Sequence, residues 1–402
     1  MNGHTEMINL LKRAGTVEPK KEALIPSAKE QKTSRPILYF DVVDKEGKPS
    51  AVTKGVYPDG QSLGLLVRGK GAAWSPDGAW FANVTDENSL ILRNLRGEVR
   101  NIFTPEKEHL LSPSIWSPDG KRIAVISILP GNAAENVLSV VIIDVVGGKV
   151  LSKHRIPSWT TTISKFRWSP DGRKILLVGG FATSGGAVVI DTETSTVETI
   201  ANKTIVAEWA PSNDSVYYFD TNSYERQSGE QALGDFYLKK LGTSQPIKLM
   251  DKKKVESLGL KAPLLMSLSP EGSKFFIYSG ILPSTDDVKK EFKGIIYIYD
   301  IHGGITVTLD KPYKKFQTIA QDFIYSLEWA PDENSLAALA LNFSEVATAK
   351  ESPYMPTGSL KVKILDLLKG TWRTLASVNT QSVPATELLD FIGLTKTLSW
   401  SQ

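Results

Sequence analysis

Arg167-Trp168-Ser169-Pro170-Asp171-Gly172 decides the fold, because it is one copy of a repeat. Ala73-Trp74-Ser75-Pro76-Asp77-Gly78 and Ile115-Trp116-Ser117-Pro118-Asp119-Gly120 have the same form. Three degenerate copies follow: Trp209-Ala210-Pro211-Ser212-Asn213-Asp214, Leu268-Ser269-Pro270-Glu271-Gly272 and Trp329-Ala330-Pro331-Asp332-Glu333. From each Trp (or Leu268) to the next, the steps are 42, 52, 41, 59 and 61 residues. A period of about forty, stretched by insertions, suits four short strands per unit.

Every copy has the same local grammar. A short apolar segment ends at the Trp, and Ser-Pro-Asp-Gly then supplies a turn. Pro presets φ, Asp bonds its own backbone and Gly accepts positive φ. A β-rich run follows, such as Arg122-Ile123-Ala124-Val125-Ile126-Ser127 or Lys174-Ile175-Leu176-Leu177-Val178. A third run ends in an acidic turn: Val140-Val141-Ile142-Ile143-Asp144, Ala187-Val188-Val189-Ile190-Asp191, Ile295-Ile296-Tyr297-Ile298-Tyr299-Asp300 and Val362-Lys363-Ile364-Leu365-Asp366. A polar-alternating run such as Ser195-Thr196-Val197-Glu198-Thr199-Ile200 closes the unit. Val- and Ile-rich runs between Gly/Pro/Asp clusters predict antiparallel meanders, here strands A to D. No helical periodicity is long enough for crossover helices, which excludes a parallel α/β sheet. Four-stranded units repeated around a ring make an all-β β-propeller, with each Trp packed between blades. Truncating one of them, Trp116, is accordingly expected to act as a core deletion.

Trp-Ser-Pro-Asp-Gly, a β run and an apolar-apolar-apolar-Asp turn together resemble the TolB-like, or WD40-like, β-propeller repeat. The match covers residues 36–402. It differs from the sialidase-type Asp box, in which one residue separates the Asp from the Gly. The resemblance implies a propeller that serves mostly as an interaction scaffold or accessory domain, and a TolB-type relative has six blades.

Six motifs predict six complete units, from near residue 72 to near 378. Two pieces remain for a seventh blade. Upstream, Pro36-Ile37-Leu38-Tyr39-Phe40-Asp41 reads as strand C and Lys45-Glu46-Gly47-Lys48 as the turn into strand D. Downstream, Glu387-Leu388-Leu389-Asp390-Phe391-Ile392 and Thr395-Lys396-Thr397-Leu398-Ser399-Trp400 read as strands A and B. The expectation is therefore seven four-stranded blades, the closing one shared half and half by the termini, which removes exposed sheet edges. Six blades closed differently is the alternative. Residues 1–35, polar and rich in Lys and Glu, read as a flexible N-terminal tail.

The composition narrows the function classes. With 402 residues and no cysteine, the chain has no disulfide framework, thiolate nucleophile or sulfur-ligated metal. The compartment stays open, since many exported bacterial proteins also lack cysteine. No secretory signal is present, so the chain as written reads as cytoplasmic, or as periplasmic or extracellular if a leader was removed. Lys and Arg total 47 against 44 Asp and Glu, too balanced for a chain built around phosphate neutralisation. The short runs Lys252-Lys253-Lys254 and Lys314-Lys315 read as solvated surface, so no nucleic-acid partner is expected. No apolar run approaches ~18–20 residues, so none predicts a membrane-spanning helix.

Catalytic constellations are missing from the sequence. His4, His109, His154 and His302 are scattered without ligand spacing and read as solvent-facing. Neither a Gly-x-Ser-x-Gly elbow nor a calcium loop occurs. No catalytic residue, metal or cofactor is thus expected, and the oligomeric state is undetermined. The long connections are mostly B–C (129–136, 180–186, 220–234, 281–294 and 343–359), joined on the same face by D–A segments 155–163 and 311–322. Insertions on one face of a rigid scaffold mark a binding surface. Trp159, Tyr224, Arg226, Tyr313, Lys314, Phe316 and Tyr354 lie there, residue types that anchor protein interfaces. The leading expectation is a non-enzymatic scaffold that binds a protein partner through this face. The alternative is a propeller enzyme or small-ligand binder, of lyase or lactonase type, working through the central channel. Charges at Lys165, Arg167, Glu208 and Glu328 on the A strands would support it if they converge.

Overall fold

A computed structural model describes residues 38–44, 50–94, 96–130, 137–156, 163–179, 185–204, 206–220, 234–260, 263–279, 294–301, 312–318, 322–342, 359–379 and 398–400. Six four-stranded antiparallel sheets are each built from one continuous stretch: blade 1 from 70–103, blade 2 from 110–155, blade 3 from 163–201, blade 4 from 207–250, blade 5 from 263–317 and blade 6 from 322–379. A further four-stranded sheet closes the ring between blades 6 and 1, with Leu398–Trp400, Leu38–Asp44, Ser50–Val56 and Ser62–Arg68 in that spatial order. Among the described residues there is one helix, Lys252–Ser257, between blades 4 and 5. Asp251 caps it, its carboxylate accepting the Lys254 N–H at 2.8 Å.

The closing sheet differs from the expected half-and-half split. It takes one strand from the C-terminal side and three from the N-terminal side. Leu38–Asp44 is its second strand, not the third, and Leu398–Trp400 its first, not the second. The physical reason is a hairpin that the repeat motif does not mark. Tyr57-Pro58-Asp59-Gly60 turns the chain with Gly60 at φ +95°, Tyr57 N–H bonded to the Gln61 carbonyl, and Gln61 N–H bonded to Asp59 Oδ1. The extra hairpin supplies the third and fourth strands. The expected strand at 387–392 and the tail at 1–35 lie outside the described residues.

The Ser-Pro-Asp-Gly turns behave as their chemistry dictates. In blade 1 the Ser75 hydroxyl donates to Asp77 Oδ1 at 2.5 Å, and Asp77 Oδ1 also accepts the Ala79 N–H. Ser75 Oγ accepts the Trp80 N–H at 3.0 Å, and Gly78 sits at φ +66°. The Ser75 hydroxyl and the Ala79 N–H hold the Asp77 carboxyl below its ordinary value. Blades 2 and 3 repeat the set with Ser117/Asp119 and Ser169/Asp171. In blade 6 the glycine position is Glu333, and its carboxylate reaches the preceding turn. There it accepts the Glu271 N–H at 2.6 Å and the Ser273 hydroxyl at 2.7 Å. Where an Asp ends the third strand it can cap its own turn: Asp191 accepts from the Glu193 and Thr194 N–H groups, and Asp366 from those of Leu368 and Lys369.

Period-2 alternation gives each blade two apolar faces, and each is covered by a neighbour. Six clusters of buried side chains lie one per interface from blades 1 and 2 around to blade 6 and the closing sheet. In four blades the Trp ending the first strand adds a directional tie. Trp116 Nε1 donates to the Ala73 carbonyl of the preceding blade at 2.8 Å. Trp168 donates likewise to the Ile115 carbonyl, Trp209 to Arg167 and Trp329 across the same type of interface to Ser267. Trp116 itself is only partly buried, whereas Trp209 is 2% exposed. Trp209→Ala is therefore the sharper truncation: it should lower the unfolding free energy by about 3–5 kcal/mol in a urea titration, with the sheet signal otherwise unchanged.

Candidate functional site at the centre of the ring

First strands of successive sheets touch one another around most of the circle, and Leu398–Trp400 touches those of both blade 6 and blade 1. The ring axis is therefore lined by first strands. Blade 3 contributes Ile163–Trp168, in which the side chains alternate. Phe166 and Trp168 pack into the interface with blade 2, and Lys165 and Arg167 take the other face. The register with the second strand shifts between Ile163 and Lys165. Similar shifts interrupt the first strands of blades 1, 2, 5 and 6. A bulge of this kind re-aims the side chains beside it.

Four charges from three blades meet there, with uncharged partners from a fourth. Lys165 Nζ donates to Glu208 Oε2 of blade 4 at 2.6 Å and to the Met266 carbonyl of blade 5 at 2.6 Å. Arg167 reaches across the ring to blade 6, where its Nη2 donates to both oxygens of Glu328 at 2.7 and 2.6 Å. Its Nη1 donates to Ser267 Oγ of blade 5 at 3.2 Å. The Trp209 N–H bonds the second oxygen of Glu208 at 2.8 Å. Two layers result. Lys165–Glu208 is the more enclosed, with side chains 16% and 3% exposed, while Arg167–Glu328 keeps 35% and 29%.

The electrostatics follow from this enclosure. Burial pushes the Lys165 ammonium below its ordinary range; Glu208 opposes the shift and Arg167 adds to it. Burial would raise Glu208, but Lys165 and then Arg167 outweigh it and hold the carboxyl low. Arg167 is disfavoured by burial too, yet Glu328 and Glu208 raise it further, so it stays charged at any working pH. The centre thus contains a permanent guanidinium and an ionised carboxylate beside an amine that loses its proton more readily than a surface lysine.

Structures with the same architecture span enzymes and proteins of unknown role. No family model matches the chain, and no curated protein does. The acylaminoacyl peptidase of Pyrococcus horikoshii is 10% identical at a TM-score of 0.55, over 85% of this chain and 51% of that one. A functionally unknown protein from Desulfotomaculum acetoxidans is 11% identical at 0.54, over 92% and 99% of the two chains. An oligogalacturonate lyase from Vibrio parahaemolyticus is 13% identical at 0.47, over 75% and 93%. The fold is a β-propeller. At these identities the likeness extends to architecture alone. It nevertheless corrects the expectation of a non-enzymatic scaffold working through its loop face. The architecture is shared with an enzyme, the acylaminoacyl peptidase, and the four charges named for the channel alternative converge.

Of the residues expected on the loop face, Trp159, Tyr224, Arg226 and Tyr354 lie outside the described residues. Tyr313, Lys314 and Phe316 fall at the outermost strand of blade 5, Lys314–Gln317, far from the axis. Tyr313 is exposed, and the Lys314 ammonium lies 5.3 Å from its ring centre while donating to the Leu367 carbonyl of blade 6 at 2.6 Å. Phe316 packs into the interface of blades 5 and 6. His154 is not solvent-facing as expected: it is 4% exposed, its Nε2 2.8 Å from Ser152 Oγ, because it takes the inward position of an alternating outer strand. Burial pushes its imidazole below the usual value, Asp191 partly opposing. Among the described residues no cluster of three or more His, Asp or Glu could hold a metal.

Ser267 and the Met266 carbonyl were not anticipated. A signal for Ser267 existed: the residue preceding each motif Trp (or Leu268) forms a column, Ala73, Ile115, Arg167, Glu208, Ser267 and Glu328, of which the polar members meet at the axis. Removing one partner of the more enclosed pair leaves an uncompensated buried charge. Lys165→Met should therefore cost about 3–5 kcal/mol in chemical denaturation, and adding Glu208→Met should recover most of that loss.

Proposed function

We propose that the centre of the ring is a small-ligand site of a propeller enzyme, and that its reaction is proton abstraction next to a carboxylate, as in a lyase. The observation that supports this reading is the placement of Lys165 between Glu208 and the Met266 carbonyl, with Arg167 one side-chain position along the same strand face.

An unprotonated Lys165 has two N–H groups, one for each of its acceptors, and its lone pair is left for a substrate proton. Burial shifts the equilibrium towards this form, the way enzymes tune a lysine base. In the step itself the carbon–hydrogen bond α to a substrate carboxylate breaks and its proton moves to Nζ. The electron pair delocalises into the carboxylate as an enolate-like anion, whose added charge the Arg167 guanidinium stabilises. Glu208 then faces a full ammonium, its best partner. Return of the proton, or departure of a group on the adjacent carbon, completes the cycle.

Lysine-to-arginine substitution separates this role from a purely structural one. Arginine keeps the charge opposite Glu208 but has no accessible neutral form. Incubated in D2O with a panel of hydroxy acids and uronates, the wild-type protein should exchange the α-proton of at least one, read as loss of its proton NMR signal. Lys165→Arg should abolish that exchange while shifting the melting temperature little. Absence of exchange across the panel, or exchange that survives in Lys165→Arg, would contradict the reading.

A further inference from the structure

Arg167 and Glu328 are an odd pair for a brace. Other ion pairs between blades, such as Lys239–Glu198 and Lys274–Glu333, join immediate neighbours. Arg167–Glu328 instead joins blades three places apart, across the ring. It is also the open layer of the central cluster, each side chain keeping about a third of its surface. Its two members are anchored unequally. Arg167 has a second hold on Ser267, whereas both Glu328 oxygens are held by one nitrogen of Arg167, with no other partner among the described residues. Glu328 is thus a carboxylate resting on one guanidinium nitrogen, on a side chain that can leave without breaking another hydrogen bond among the described residues.

Resting on the reading of the axis as a ligand site, we infer that Glu328 is a built-in stand-in for the ligand's own carboxylate. It occupies Arg167 when the site is empty and yields that position to a small acid entering along the axis. An incoming carboxylate can take the same charged Nη2 donors, so it reproduces what Glu328 gives up. Displacement leaves Glu328 charged and seeking donors. The class of ligand that answers both needs is a carboxylate that also bears hydroxyl groups: the acid end meets Arg167 and a hydroxyl donates to the released Glu328. A simple fatty acid or a dianion fails the second requirement. Glu328 then sets specificity as well as occupancy, because any ligand without a carboxylate must leave the Arg167–Glu328 pair closed.

An internal competitor lowers apparent affinity by the fraction of time it holds the site. Removing its charge while keeping its shape must therefore tighten binding, the reverse of what loss of a structural brace would do. The test is calorimetric titration of the full chain with glucuronate, with glucose as the uncharged counterpart and inorganic phosphate as a second anion. Glu328→Gln should bind glucuronate on the order of tenfold more tightly than wild type. Arg167→Lys, which keeps the charge but not the fork, should lose glucuronate binding at an unchanged melting temperature. Weaker or equal binding by Glu328→Gln overturns the stand-in role. Glucose binding as well as glucuronate, or phosphate binding as tightly, overturns the carboxylate class but leaves the axis a ligand site. Binding of none of the three overturns the inference, and deuterium exchange by Lys165 decides the site reading separately.

Discussion

A buried charge in this protein is tolerable only because a rigid ring delivers its partner from another blade. Lys165, Glu208, Arg167 and Glu328 come from three first strands far apart in sequence, one of which carries both cations. A lysine removed from water costs several kcal/mol unless an anion meets it at hydrogen-bond distance. Small rotations of the blades would break the 2.6 Å contacts on which that compensation depends. The centre therefore needs the circle to be closed and each blade to be fixed against the next.

The fixing is repetitive. Apolar faces cover one another at successive interfaces, and the indoles of Trp116, Trp168, Trp209 and Trp329 each tie their strand to the carbonyl of the equivalent column residue one blade back. In the Trp209–Arg167 case that carbonyl belongs to a member of the charged cluster itself. The structural repeat thus sets the backbone position of Arg167 directly. Where the motif decays, other contacts take over the joint, as Glu333 does by bonding the preceding turn in place of a glycine.

Much of this was legible because turn chemistry and strand alternation are local. Ser117-Pro118-Asp119-Gly120 can be read as a turn from four residues, and its hydrogen bonds involve only the turn and its flanks. The closing sheet was harder. Its third and fourth strands are joined by Tyr57-Pro58-Asp59-Gly60, a sound turn signal without the preceding Trp-Ser that marks the repeat. Which strand of a sheet each terminal segment becomes is decided by pairing over the whole chain length, and no short window contains that. The site was half legible. Alternation put Lys165 and Arg167 on one face and drew attention to Glu208 and Glu328. That Arg167 would cross to blade 6 rather than pair next door depends on ring diameter and side-chain reach. Phe316 and Lys314 sit beside a long connection in sequence and also serve the joint between blades 5 and 6, a role that only the assembled ring reveals.

The central claim is that the ring holds a lysine whose proton is loosened by burial among fixed partners. Lysine side-chain NMR across a pH titration measures this directly, with Lys165→Arg identifying the resonance by its disappearance. The account predicts that this one amine titrates clearly below the ordinary lysine value of about 10.4. Titration together with the surface lysines, or above them, would contradict it.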